Sequence, residues 1–208
     1  MRRIYLASRS PRRRELLRQL GIGFDELLAH EQHGADVDET PLAGELPAAY
    51  VMRLARAKAA LGWHQVATRG LAPRPVLAAD TTVALSGEIF GKPDDAAHAR
   101  TLLARLSGKT HDVLTAVAVT RHDRTETALS ASTVEFRALD AAEIAAYVAT
   151  GEPLDKAGAY AIQGQAAVFV RVLSGSYSGI MGLPLMATAE LLRRFDSEPD
   201  STKRGSRG

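Results

Sequence analysis

The spacing of hydrophobic positions along this 208-residue chain changes several times, and each change predicts an element. Residues 4–8 form a short apolar run that reads as a buried strand. Behind Pro11, Leu16, Leu17 and Leu20 recur at helical spacing, which predicts a helix over 11–20 that Gly21 and Gly23 end. Residues 24–29 read as a second strand and 30–46 as a long acidic loop. Tyr50, Val51, Leu54, Ala55 and Lys58 share related faces of a helix from 47 to about 61, and 66–75 is a connector. Residues 76–79 give a short apolar strand ending on Asp80, and 81–85 would pair with 88–90 across Ser86-Gly87. A helix over 94–106 ends at Gly108. Two long strands, 110–121 and 125–139, flank a polar turn, and Asp140 N-caps a helix through 147. Residues 150–165 carry no period, 166–173 read as a strand, and a second glycine-rich loop leads into a last helix over 184–195.

Strands alternating with helices around a central hairpin imply a mixed α/β fold, an elongated sheet with flanking helices. We expect one domain over 1–195 with two lobes around a cleft, and a polar, disordered tail over 196–208.

Composition narrows the function by exclusion. With 46% hydrophobic and 24% charged residues the chain has the balance of an ordinary globular protein. A net charge of +2 and 5% aromatic residues argue against an extended nucleic-acid surface. No apolar stretch approaches a membrane span, and no secretory h-region opens the chain. The absence of cysteine removes disulfides, thiolate metal ligands and a cysteine nucleophile. The expectation is a cytoplasmic enzyme with neither nucleic acid nor membrane as partner.

Charge is informative locally. The first 18 residues hold seven arginines against one glutamate, and Arg12, Arg13 and Arg14 open the first helix. A helix N-terminus already carries partial positive charge and free N–H groups, so cations there are disfavoured unless an anion joins them. Ser10 and Pro11 are also ordinary helix-start residues, and the arginines could instead form salt bridges.

Four further features carry candidate chemistry. Asp80 directly follows an apolar strand, where a carboxylate can orient water, hold Mg²⁺, or brace the next turn through Thr81 or Thr82. Lys92 sits between Gly91 and Pro93, placed either to neutralise a phosphate or simply to be solvated. Asp36, Asp38 and Glu39 lie in the acidic loop, where most such groups are simply solvated, but one of them near Asp80 would complete a hard-cation site. His30 and His33 match no zinc spacing and read as surface residues, while His111 is ambiguous. Residues 151–182 concentrate six of the 17 glycines with Glu152, Asp155, Lys156, Tyr160, Gln163 and Tyr177. Long irregular loops in a compact domain are usually functional, and the Gln163 amide has the donor and acceptor a pyrimidine edge requires. Glycine there would serve positive φ, close approach to a ligand, or both.

Taken together, these segments resemble the Maf family of nucleoside triphosphate pyrophosphatases. The matching pieces are Ser8-Arg9-Ser10-Pro11-Arg12-Arg13 with Glu15-Leu16-Leu17, Asp36-Val37-Asp38-Glu39, Leu54-Ala55-Arg56-Ala57-Lys58-Ala59 and Ala79-Asp80-Thr81. They continue through Gly91-Lys92-Pro93, Leu106-Ser107-Gly108-Lys109-Thr110-His111, the run from Glu152-Pro153-Leu154 to Gln163-Gly164, and Gly182-Leu183-Pro184-Leu185. The resemblance covers about 4–195 and implies a Maf/ITPase-like fold with a deep nucleotide-binding cleft, usually in a homodimer. It implies cleavage of a nucleoside triphosphate to monophosphate and pyrophosphate with a divalent cation, Mg²⁺ or Mn²⁺. By the same resemblance Asp80 is the proton acceptor for the attacking water and, with Glu39, a metal ligand. Ser8, Arg13, Lys58 and Lys92 lie around the phosphates, and Arg12, Thr81 and Gln163 tune base choice.

The segment Asp155-Lys156-Ala157-Gly158-Ala159-Tyr160 through Gln163 is similar to the branch acting on dTTP and UTP. Ala161 stands where glycine is commoner, and Ser178-Gly179 replaces a bulkier pair, which touches the base pocket more than the chemistry. The rival readings are a 7-methyl-GTP-type pyrophosphatase and a non-catalytic nucleotide-binding regulator of septation.

Overall fold

Period-two alternation in the central strands decides which helix covers which face of the sheet. The computed structural model describes residues 3–27 and 37–196. In chain order the elements are β1 (Ile4–Leu6), α1 (Pro11–Gln19), β2 (Phe24–Glu26), α2 (Pro47–Thr68), β3 (Val76–Leu85) and β4 (Glu88–Phe90). Then come α3 (Ala96–Leu106), β5 (Thr110–Arg121), β6 (Arg124–Phe136), α4 (Ala141–Ala149), β7 (Val170–Ser174), α5 (Tyr177–Ile180) and α6 (Leu185–Asp196). Short 3₁₀ turns fill the stretch between α4 and β7.

The strands form one mixed sheet in the order β2-β1-β3-β5-β6-β7, with β4 paired to β3. β1 runs parallel to β2 and β3, whereas β3, β5, β6 and β7 pair antiparallel. On one face Tyr5, Ala7, Val76, Ala78, Leu114, Ala116 and Ala118 pack against Val51, Leu54, Ala55 and Ala59 of α2. On the other face Ile4, Leu6, Leu77, Ala79, Val117 and Val119 meet Leu16 and Leu17 of α1 and Leu191, Leu192 and Phe195 of α6. A third cluster joins Val83, Phe90, Val113 and Phe136 to α3, α4 and the 3₁₀ segment. Because side chains alternate along β3, Asp80 shares the α2 side of the sheet and Thr81 the α1 side.

Several elements differ from the sequence expectation. α2 runs seven residues past 61, through Gly62, to Thr68. A Cβ at position 62 would lie 2.8 Å from Val76 Cγ1 and 2.9 Å from Ala7 Cβ, so this glycine is a packing contact and not a stop. Residues 76–85 form one continuous strand because β5 pairs with it from Val76 to Ala84. Asp80 therefore lies in mid-strand, opposite Ala116, and no turn follows for it to brace. β6 ends at Phe136, residues 165–169 turn as a 3₁₀ helix before β7, and α3 begins at Ala96 with Asp95 as its N-cap. β1 ends at Leu6, which leaves Ser8 in the loop before α1. The expectations for His30, His33, Asp36 and the tail beyond 196 fall outside the described residues.

Candidate active site

The nine residues singled out from the sequence, Ser8, Arg12, Arg13, Glu39, Lys58, Asp80, Thr81, Lys92 and Gln163, all line one cleft of about 410 Å³. That volume falls within the range of small-molecule sites. Its walls come from the β1–α1 loop, α2, the middle of β3, the segment after β4 and the 155–163 loop.

The β1–α1 loop is set by its serines. Ser10 N-caps α1 by accepting the Arg13 amide, and Pro11 occupies the first turn. Ser8 Oγ accepts the Ser10 amide at 3.2 Å and an Arg13 amino group at 3.3 Å. Its own proton has no acceptor among the described residues and points the site toward an acceptor-rich ligand. The three arginines then diverge. Arg14 pairs with Glu26 at 2.7 Å and leaves the cleft. Arg13 donates to the Gly182 carbonyl at 2.8 Å and to Thr81 Oγ1 at 3.2 Å. Arg12 lines the cleft beside the 152–155 turn. Burial pushes both guanidinium groups below their ordinary value; the main counterweight is Asp80 for Arg13 and Asp155, then Glu152, for Arg12. The fields acting on the two residues thus assign Arg13 to the carboxylate end and Arg12 to the loop end.

At the carboxylate end, Lys58 reaches across from α2, one turn after Leu54. Its Nζ lies 2.6 Å from Asp80 Oδ1 and 2.5 Å from Glu39 Oε1. Lys92 stands 3.7 Å from the other Glu39 oxygen, and Tyr50 donates its hydroxyl to the Glu39 carbonyl at 2.9 Å. Burial raises the Asp80 carboxyl above its ordinary value against the pull of Lys58 and Arg13. Burial also pushes Glu39 up, but Lys58 and Lys92 outweigh it and hold that group below the usual carboxylate range. The difference reflects depth, since Asp80 is 7% exposed and Glu39 is open to solvent.

Thr81 has its hydroxyl fully engaged. Thr115, directly opposite on β5, donates to the Gly179 carbonyl at 2.7 Å, so the 2.9 Å contact between the two threonines is a donation from Thr81. Thr81 then accepts from Arg13. Further along the cleft, Val83, Val113, Tyr160, Ile162, Ile180 and Met181 form an apolar wall belonging to one cluster. Gln163 is exposed beside it, with neither amide group bonded to a described residue.

Sequence reasoning missed Thr115, Val83, Val113, Ile180 and Met181. Period two could have grouped Val83 with Thr81, but Thr115 joins the site only through strand register. Among the glycines of the 151–182 segment, Gly151, Gly158, Gly175 and Gly182 take the positive φ expected of them, and some also serve close packing. A Cβ at Gly158 would meet Val83 at 2.8 Å, and one at Gly179 would meet Ser130 Oγ at 2.7 Å. These glycines bring loop backbone against strand side chains, in the case of Gly158 against Val83 of the cleft lining. Gly158, with φ of +67°, needs glycine on both counts.

Six cations, Arg9, Arg12, Arg13, Lys58, Lys92 and Lys156, face three carboxylates, Glu39, Asp80 and Asp155, across the lining. Fold and cleft together define an α/β protein with a cation-rich pocket suited to a small polyanion carrying an apolar group. The chain belongs to the Maf family, since the model of the Maf-like proteins matches residues 3–195. It is 57% identical over 199 residues to the dTTP/UTP pyrophosphatase of Dechloromonas aromatica (strain RCB), a match covering 95% of this chain and 99% of that one. It is 58% identical over 197 residues to the dTTP/UTP pyrophosphatase of Aromatoleum aromaticum, covering 93% of this chain and 95% of the relative. Among solved structures, the Staphylococcus aureus Ham1 protein matches with a TM-score of 0.43 and 16% identity over 65% of this chain and 72% of its own, a likeness too loose to carry argument.

Proposed function

We propose that this protein hydrolyses dTTP and UTP, together with modified pyrimidine triphosphates of similar shape, to the monophosphate and pyrophosphate. The observation that carries the reading is the placement of buried Asp80 against Lys58 and Arg13, between a cation-lined end and an apolar wall edged by Gln163. Lys58, Arg13 and Lys92 hold the triphosphate oxygens, and Ser8 donates its unused proton to one of them. Asp80 accepts the proton of a water that attacks the α-phosphorus; the bond to the bridging oxygen breaks and pyrophosphate departs. The upward shift of Asp80 toward neutrality suits that task, because a base works best near the operating pH.

Asp80 and Glu39 are the residues that would hold a divalent cation. Both carboxylates contact a single Lys58 Nζ, and one or two carboxylates plus substrate phosphates make a common Mg²⁺ site. Among the described residues no group of three or more His, Cys, Asp or Glu stands together, which fits an ion shared with substrate better than a protein cage. When bound, the ion supplies positive charge to the phosphates and the departing pyrophosphate. Chelation should abolish turnover, and Mg²⁺ or Mn²⁺ should restore it.

The remainder of the reading rests on the family resemblance: a homodimer acting in the cytoplasm, its mass checked by sedimentation. No helix among the described residues is long and apolar enough to cross a membrane. The deciding experiment is a panel of dTTP, UTP, CTP and 7-methyl-GTP with product identification. Pyrophosphate from dTTP and UTP is expected. Orthophosphate as product, preference for 7-methyl-GTP, or no turnover with either metal would overturn the proposal.

A further inference from the structure

We infer that Glu152 and Tyr147 form a clamp that positions the turn carrying Gln163, and so act as specificity-determining positioning residues for the pyrimidine base. The inference rests on the base-reading role proposed for Gln163. Residues 161–164 make a tight turn closed by the Gly164 amide donating to the Ala161 carbonyl at 3.0 Å, with Gln163 as its third residue. Both ends of this turn are fastened to the same pair of side chains. The Ala161 amide donates to the Tyr147 hydroxyl at 3.3 Å, and that hydroxyl donates to Glu152 Oε1 at 2.8 Å. The other oxygen, Oε2, accepts the Gln165 amide at 3.1 Å.

One carboxylate therefore ties down the residue after the turn directly and the turn's first residue through tyrosine. A Cβ at position 164 would run into that carboxylate, so Gly164 is what lets Glu152 lie against the turn. Tyr147 itself is 4% exposed on α4, and burial, reinforced by the bond to Glu152, pushes its hydroxyl pKa up, which keeps the donated proton in place. α4 is in turn anchored at its start by a capping box between Asp140 and Glu143. Gln163 has no hydrogen bond to another described residue to fix it, so its reach into the cleft depends on the backbone that these two side chains hold.

The test uses the full chain and the variants Glu152→Gln, Tyr147→Phe, Gly164→Ala and Gln163→Ala. The amide of Gln hydrogen-bonds Tyr147 but offers a competing N–H toward Gln165, while Gly164→Ala keeps the carboxylate and displaces it. Each clamp variant should raise KM for dTTP and UTP by roughly tenfold while changing kcat less, and should narrow the preference for dTTP over CTP. Glu152→Gln combined with Gln163→Ala should lose little beyond the single changes, because both act through one contact. Amide exchange at Ala161 and Gln165 should quicken in Glu152→Gln. Unchanged exchange there overturns the clamp, whatever Gln163 does. Faster exchange with parent-like nucleotide preference in Gln163→Ala instead overturns the base-reading role, and with it the specificity assignment. Fully additive losses in the double variant overturn the coupling between the two.

Discussion

At the scale of single residues, the proposed chemistry turns on how unequal environments divide two carboxylates. Asp80 and Glu39 share one lysine, yet burial raises the first while two cations lower the second. A proton acceptor must be deprotonated, so kcat/KM should rise with pH through an apparent pKa above the ordinary aspartate value of about 4. Lys58→Met removes the principal group opposing that shift, and its acid limb should move to higher pH in a rate profile measured beside the parent. Asp80→Asn should lower kcat by roughly 100-fold or more while the melting temperature stays close to the parent. Turnover of dTTP at the parental rate by that variant would remove Asp80 from the mechanism. Asp80 was legible in the sequence as a carboxylate directly after an apolar run, whereas Lys58 and Glu39 were singled out by the resemblance to the Maf family. The engagement of Thr81 with Thr115 and Arg13 was not legible, since it needs residues 34 and 68 positions away.

At the scale of elements, α2 shows why a local signal can mislead. Gly62 resembles a helix terminator, yet the helix continues because that position presses against Val76 and Ala7. Gly62→Ala should improve local helix propensity and still destabilise the protein by about 1–3 kcal/mol, since its methyl has no room. Urea unfolding would measure the loss. Ala7 precedes Ser8, so the same variant should also weaken nucleotide binding, visible as a higher KM. β3 shows the converse. Its polar pair, Asp80-Thr81, looks like the end of an apolar strand, but pairing with β5 carries the strand through and places the two side chains on opposite faces. The start of α4 was legible in the sequence from Asp140 as its N-cap, and the structure adds the return bond from Glu143 that completes a capping box.

At the scale of the molecule, the buried core itself carries a titratable group. His111 is 2% exposed, shares a 2.9 Å hydrogen bond between its Nε2 and the Tyr160 hydroxyl and packs edge-on against Phe136; burial pushes its pKa from 6.5 down to about 4. The unfolded chain binds a proton near pH 6.5 that the folded protein refuses until about pH 4. The contribution of His111 is therefore complete above about pH 6.5, declines as pH falls toward 4, and is spent below it. His111→Gln, whose amide can still hydrogen-bond Tyr160, should show a flatter dependence of unfolding free energy on pH across that window than the parent does. Equal slopes would remove His111 as the source. The sequence by itself determined the α/β class, the order of elements and the identity of the charged groups, because hydrophobic period, caps and charge are local properties. Only the tertiary structure decided that β3 is continuous, that glycines let loop backbone press against strand side chains, and that Thr115, Tyr147 and Glu152 support residues far from them in the chain. Those outcomes depend on strand register and on the space between packed elements, and neither is written in any one segment.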